Sequence, residues 1–256
     1  MPTDDFTNAI TPLKQLGGQR VWSLMISLFG DLARRKGDII DGPVLSAIMA
    51  EMDVRPEAAR VALHRLRKDN WIASEKQGRI SMHSLTPDGR SQADDASARI
   101  YATPNDLCQG WQMVLLSGVA AEADDLNGFT QVNGRVYVGP SDIEPPQDAF
   151  VTTGNTAPDW LKTELEPATL EQAYAQLQAA LEHAAQHLPA HESLSPLQVA
   201  TLRCLIVHNW RRLALKHPAL PKPLMRNDWV GLKSHVLVAD LLAQYPRPDP
   251  SMIAAA

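Results

Sequence analysis

Cysteine is scarce in this chain of 256 residues: Cys108 and Cys204 are the only two, so no disulfide framework, redox motif or thiolate zinc site can be built. They lie far apart in sequence and are expected as buried free thiols. No apolar run approaches the ~18 residues of a membrane span; the longest, 21–28, is interrupted by Ser23 and Ser27 and stops at Gly30-Asp31. The opening Met-Pro-Thr-Asp-Asp-Phe lacks the basic and apolar regions of a signal peptide, which predicts a cytoplasmic protein. Also missing are a Gly-rich phosphate loop, a Gly-x-Ser-x-Gly elbow and a compact Ser/His/Asp or Cys/His set. The chain therefore reads as no enzyme and implies no cofactor. A cofactor-independent thioester hydrolase is the least strained catalytic alternative.

What is present is an ordinary globular composition, 45% apolar and 21% charged, sufficient for a sizeable core. The length fits two or three small domains. A net charge of −5 argues against a nucleic-acid binder, because Lys and Arg carry affinity for phosphate. The distribution argues the other way. Between residues 55 and 79 the bases Arg55, Arg60, Arg65, Arg67, Lys68, Lys76 and Arg79 outnumber the acids Glu57, Asp69 and Glu75. From residue 110 onward 10 bases face 15 acids. A short basic surface thus sits on an acidic body. Pro-containing breaks near Pro104, Pro145-Pro146, Pro189 and Pro221 mark candidate seams.

Apolar positions Val21, Trp22, Leu24, Met25, Leu28, Phe29 and Leu32 recur at helical spacing and are followed by Arg34-Arg35-Lys36-Gly37, a C-terminal signature. Asp41 as N-cap and Pro43 open a second helix carrying Val44, Leu45, Ile48, Met49 and Met52. A third, over 57–70, keeps Ala59, Ala62, Leu63 and Leu66 on one face. Its other face carries Arg60, His64, Arg67 and Lys68, with Arg55 and Glu57 at its start, a row of donors suited to phosphates and base edges. Residues 71–76 and 79–85 read as strands joined at Gln77-Gly78, and 90–101 resume a helical pattern. Three short helices and a hairpin are the order of a winged helix-turn-helix, whose third helix enters the major groove while the wing touches backbone.

Downstream, 111–117 reads as a strand and 120–126 as helix or loop. Residues 129–132 and 135–138 form a hairpin about Asn133-Gly134, and 148–153 read as a further strand. Helical stripes follow over 170–188, from Ser195-Pro196 through Leu213, and over 232–245. The expected class is α+β, mostly helical. The expected units are an N-terminal tail (1–19), a winged-helix domain with a trailing helix (20–103), a small α+β unit (104–167) and a helical C-terminal domain (168–256).

Several strings carry a family resemblance: Leu28-Phe-Gly-Asp-Leu-Ala-Arg-Arg-Lys-Gly37, VRPEAARVALHRL over 54–66, Asn70-Trp71-Ile72 and Leu85-Thr-Pro-Asp-Gly-Arg90. With Trp111-Gln-Met-Val-Leu-Leu116, His208-Asn-Trp-Arg-Arg-Leu213, His217-Pro-Ala-Leu-Pro-Lys-Pro-Leu224 and Asp228-Trp229, the chain resembles the PaaX-type repressors of bacterial phenylacetic acid catabolism. The resemblance implies a winged-helix domain, a small ferredoxin-like central domain and a helical C-terminal domain, acting as a homodimer on pseudopalindromic operators. It also implies release from DNA by phenylacetyl-CoA. Carried onto this sequence, the recognition segment is 55–68 and the wing 75–83.

DNA contact is therefore assigned to Arg55, Glu57, Arg60, His64, Arg67, Lys68, Lys76 and Arg79, against the bland reading of a solvated basic face. For an acyl-CoA effector the residues singled out are Trp111, His208, Arg211 and Arg212, as guanidinium forks beside aromatic walls; core packing and ion pairing are the competing roles. His183, His187 and His191 recur every four residues, but Pro189 intervenes and no carboxylate or thiol completes a set, so no metal is assigned. A winged-helix protein–protein adaptor that binds no DNA remains the non-regulatory alternative.

Overall fold

The computed structural model describes residues 2–17, 20–117 and 126–253. Among these are nine α-helices and seven strands in two small antiparallel sheets, so the chain is α+β and mostly helical.

The stretch expected as a tail is instead helix α1 (Pro2–Gln15). Phe6, Ile10 and Leu13 recur at steps of four and three, which puts them on one face, and that face is buried against the C-terminal helices. Lys14 fastens its end by donating to the Glu51 carbonyl and pairing with Asp53.

Helices α2 (Val21–Leu32), α3 (Gly42–Glu51) and α4 (Pro56–Lys68) follow the predicted periodicity. The two-residue strand β1 (Ile40–Asp41) precedes α3, whose N-cap is Asp41, its carboxylate accepting from Val44 N at 2.7 Å. Helix α4 ends in a left-handed residue, Asn70 (φ 56°), with Trp71 N donating to Leu66 O and Asn70 N to Arg67 O. This pattern satisfies the last carbonyls and turns the chain back toward α4. Strands β2 (Ile72–Gln77) and β3 (Ile80–Leu85) then pair, Gln77 opposite Ile80, so the two-residue loop is Gly78-Arg79, one residue later than expected. Gly78 supplies the positive φ of 63° that the loop requires. β1 adds to β3, giving the order β1-β3-β2. Thr86 caps α5 (Pro87–Tyr101).

The second sheet comprises β4 (Trp111–Leu115), β5 (Thr130–Asn133), β6 (Val136–Pro140) and β7 (Phe150–Gly154) in the order β5-β6-β4-β7, with β4 and β6 central. Most of the 120–126 segment read as helix or loop lies outside the described residues. Helices α6 (Asp159–Leu165), α7 (Ala168–His187), α8 (Pro196–Ala214) and α9 (Val230–Gln244) complete the fold. Among the described residues, no helix is long and apolar enough to cross a membrane.

Helix α8 lies at the centre. It opens with a reciprocal capping box, Ser195 with Gln198, and is buried all round from Val199 to Trp210. One continuous core joins it to α1, α2 and α3 as well as to α7 and α9, so the basic N-terminal part is seated on the acidic C-terminal part.

Candidate nucleic-acid interface

Two side chains, Ala62 and Leu66, anchor α4 in the core, with Ala59 and Leu63 half-buried beside them. This amphipathic seating leaves Arg55, Glu57, Arg60, His64, Arg67 and Lys68 exposed. Lys76 and Arg79, near the hairpin tip, are exposed as well. Arg60 lies 3.7 Å from Glu57, an ion pair between two solvent-open side chains that contributes little and leaves the guanidinium available. No carboxylate from the acidic remainder of the chain pairs with this face among the described residues. Arg65 serves another purpose: it stacks on the Trp22 ring (4.3 Å) and pairs with Asp69 at 3.3 Å, holding α4 to α2.

Between α3, α4 and β3 runs an open groove of about 590 Å³, onto which Arg60, Arg67 and Arg79 converge. The sequence reading placed all eight residues on one region, and the structure brings these three to a single groove. His83, the last residue of the expected wing, is not at its tip. It is buried, its Nδ1 2.8 Å from Ser74 Oγ. Burial, with the charge of Arg67, pushes its pKa down against the opposing charge of Asp41.

One residue of this face escaped the sequence reading. Val61 is 70% exposed, between Arg60 and His64 on the outer side of α4. An apolar residue left in solvent within a basic row is the available signal.

The four residues singled out for an effector do not share a site. Trp111 lies on β4, its indole N–H donating to Thr156 O at 2.9 Å. His208 is wholly buried in α8, its Nδ1 3.3 Å from Ser27 Oγ, and burial together with the charges of Arg211 and Arg212 depresses its pKa to about 3. Arg211 donates to Ser23 O and Oγ, and Arg212 to Gly17 O. The α8 residues staple α8 to α2 and to the end of α1, where carbonyls and hydroxyls of segments nearly two hundred positions away meet His208 Nδ1, Arg211 Nη2 and Arg212 Nη1. His208 Nε2 and Arg211 Nε have no hydrogen-bond partner among the described residues.

His183 and His187 stack at 4.1 Å, while His191 sits beyond Pro189 with its ring 6.2 Å from that of Tyr245. Among the described residues, no three His, Cys, Asp or Glu side chains gather as a metal site.

Comparison with known proteins adds identity to this geometry. The PaaX-like protein family matches residues 20–89, and the PaaX-like protein C-terminal domain matches residues 165–251, together more than half of the chain. A relative, Transcriptional repressor PaaX of Escherichia coli (strain K12), is 26% identical over 263 residues, covering 91% of this chain and 81% of the relative. A solved structure, Uncharacterized protein Rv0674 from Mycobacterium tuberculosis, aligns at 15% identity with a TM-score of 0.46, covering 86% of this chain and 94% of the other. The protein is a regulator rather than an enzyme. It belongs to the PaaX family of transcriptional repressors.

Proposed function

We propose that this protein represses a catabolic operon by binding operator DNA as a homodimer through α3, α4 and the β2–β3 hairpin, acting as a winged helix-turn-helix. Arg55, Arg60, His64, Arg67 and Lys68 enter the major groove beside Glu57, and Lys76 and Arg79 hold phosphate. The observation that carries this reading is the solvent-open cationic flank of α4 on a chain whose net charge is −5. Arginine in such a row offers bidentate donors to guanine edges and phosphate oxygens. Two-fold symmetry would place the α4 copies one helical turn of duplex apart, ~34–36 Å.

The residue boundaries follow the units read from sequence: 20–103 for DNA, 104–167 for the central unit and 168–256 for the C-terminal helices, which supply the subunit interface. The sheet order β5-β6-β4-β7 supports a ferredoxin-like reading of the central unit. It is an abbreviated version, since residues 141–149, between β6 and β7, form turns and no helix. An acyl-CoA such as phenylacetyl-CoA releases the operator by favouring a different spacing of the two recognition helices, which requires only unequal affinity for the two spacings. The test is binding of the protein to its own upstream intergenic DNA, with and without acyl-CoA compounds. Specific binding that phenylacetyl-CoA reverses is the expected result; a folded dimer with no duplex affinity at low salt defeats the reading in favour of an adaptor.

A further inference from the structure

A mostly apolar cavity of about 400 Å³ opens where the C-terminal end of α5, the loop after β6 and the segment following α8 meet. Its walls include Trp210, Trp229, His235, Ile143, Leu220 and Met225. The rings are packed in depth: Trp210 stacks on His235 at 4.9 Å, Trp229 lies 4.2 Å from His217, and Tyr174 meets both tryptophans edge-on. Burial depresses the pKa of both imidazoles, that of His217 to about 4, so at neutral pH this wall is flat and uncharged. The charged lining residues are Arg99, whose guanidinium is engaged by two carbonyls, and the acids Asp106 and Asp142. A cavity of this size and lining has the form of a small-molecule site. Its chemistry admits a neutral, flat apolar group and turns phosphate away.

Helix α5 runs from this cavity to the hairpin. At its start, a Cβ on Gly89 would lie 2.2 Å from the Trp71 carbonyl oxygen, and Arg90 donates to Leu85 O at 2.6 Å. At its end, Arg99 donates to Ala214 O (2.6 Å) and His217 O (2.5 Å), while Trp210 of α8 donates to Ile100 O (3.0 Å). Each helix thus satisfies terminal carbonyls of the other. The hairpin, α5 and the cavity wall are tied into one piece by these contacts.

We propose that this cavity is the effector site, that it takes the aromatic acyl group of a coenzyme A thioester while the phosphates stay in solvent, and that α5 carries its occupancy to the hairpin. The role in DNA release rests on the repressor reading above; the location rests on the cavity.

Cys108 lines the cavity and is half-buried, whereas Cys204 is fully buried, so alkylation of Cys108 by N-ethylmaleimide reports occupancy without DNA. In the full chain, saturating phenylacetyl-CoA should slow that alkylation at least tenfold, followed by mass spectrometry, and coenzyme A alone should not. Ala98→Trp, at an exposed α5 position on the cavity lining, should weaken phenylacetyl-CoA binding at least tenfold while circular dichroism and duplex affinity match the wild type. Unchanged alkylation in the wild type, or a folded Ala98→Trp protein that binds the ligand undiminished, overturns the site. Equal protection by coenzyme A alone overturns the acyl assignment. Protection of Cys108 in a protein that binds no duplex upholds the site and refutes the repressor reading on which its role rests.

Discussion

Arg203 on α8 closes on Asp31 at the end of α2 through two hydrogen bonds, Nε to Oδ2 at 2.8 Å and Nη2 to Oδ1 at 2.9 Å. Asp31 is fully buried and also accepts from the Tyr101 hydroxyl at 2.9 Å, with Arg247 at 3.4 Å. The remaining Arg203 donor reaches Leu242 O and Tyr245 O, so the buried charges are fully coordinated. This constellation locks α2 to the C-terminal body.

Burial pushes the Asp31 carboxyl up, but the Arg203 hydrogen bonds and charge, with Arg247 and Tyr101, outweigh it and hold its pKa below the usual range. A folded value below the unfolded one, ~3.9, contributes stability at neutral pH that is lost as pH falls through the folded value. Arg203→Met should cost about 3–5 kcal/mol by leaving a buried carboxylate underpaired, and Asp31→Leu combined with it should recover much of that stability. Urea denaturation of the single and double variants checks both.

His208 and His217 are held neutral, chiefly by burial, at pKa values of about 3 and about 4. Both lie below the unfolded imidazole at ~6.5, so their contribution is complete above that pH and declines as pH falls toward 4. Each should add about 1.4 kcal/mol per pH unit to the slope in that window. His208→Gln should remove one such share in urea titrations between pH 7 and 4.5; an unchanged slope contradicts the assignment.

Arg60→Ala should reduce discrimination between operator and random duplex by about 1–3 kcal/mol if Arg60 reads a base. Competition binding at fixed salt measures this, and an unchanged ratio removes Arg60 from base reading.

Lys76→Ala or Arg79→Ala should weaken all duplexes alike and lower the magnitude of the salt slope by about one for each phosphate no longer neutralised. A slope that stays put means that the hairpin does not touch DNA.

Val61→Ala tests whether the exposed valine meets a thymine methyl in the major groove. The expected result is weaker binding to the protein's own upstream DNA, by about 1 kcal/mol, with salt slope and thermal stability unchanged. Equal weakening on random duplex would argue against a base contact.

The basic face was legible because its members need no partner. Arg55, Arg60 and Lys68 sit where a 3.6-residue period puts them, opposite Ala62 and Leu66, and solvent does the rest. The hairpin was legible within one residue because Gly78 supplies a backbone angle that most residues avoid. Helix α1 was missed although Phe6, Ile10 and Leu13 share a face, because a short apolar stripe gains stability only from the surface that receives it. The role of Arg211 was not legible for a related reason: in sequence its guanidinium is open to an effector or to a structural partner, and only the fold puts Ser23 beside it.

Periodicity, caps and turn residues, all local in the chain, by themselves determined helices α2 to α5, the β2–β3 hairpin, the stripes of α7, α8 and α9, and which side of α4 is cationic. Tertiary structure alone decided that Asp31 and Arg203 meet, that the α8 polar residues are structural staples, and that aromatic rings from distant segments enclose one cavity. Those outcomes depend on contacts between segments far apart in the chain, more than a hundred residues for Asp31 with Arg203 and for α8 with α2, whose geometry follows from how the helices pack and is not written in any local pattern.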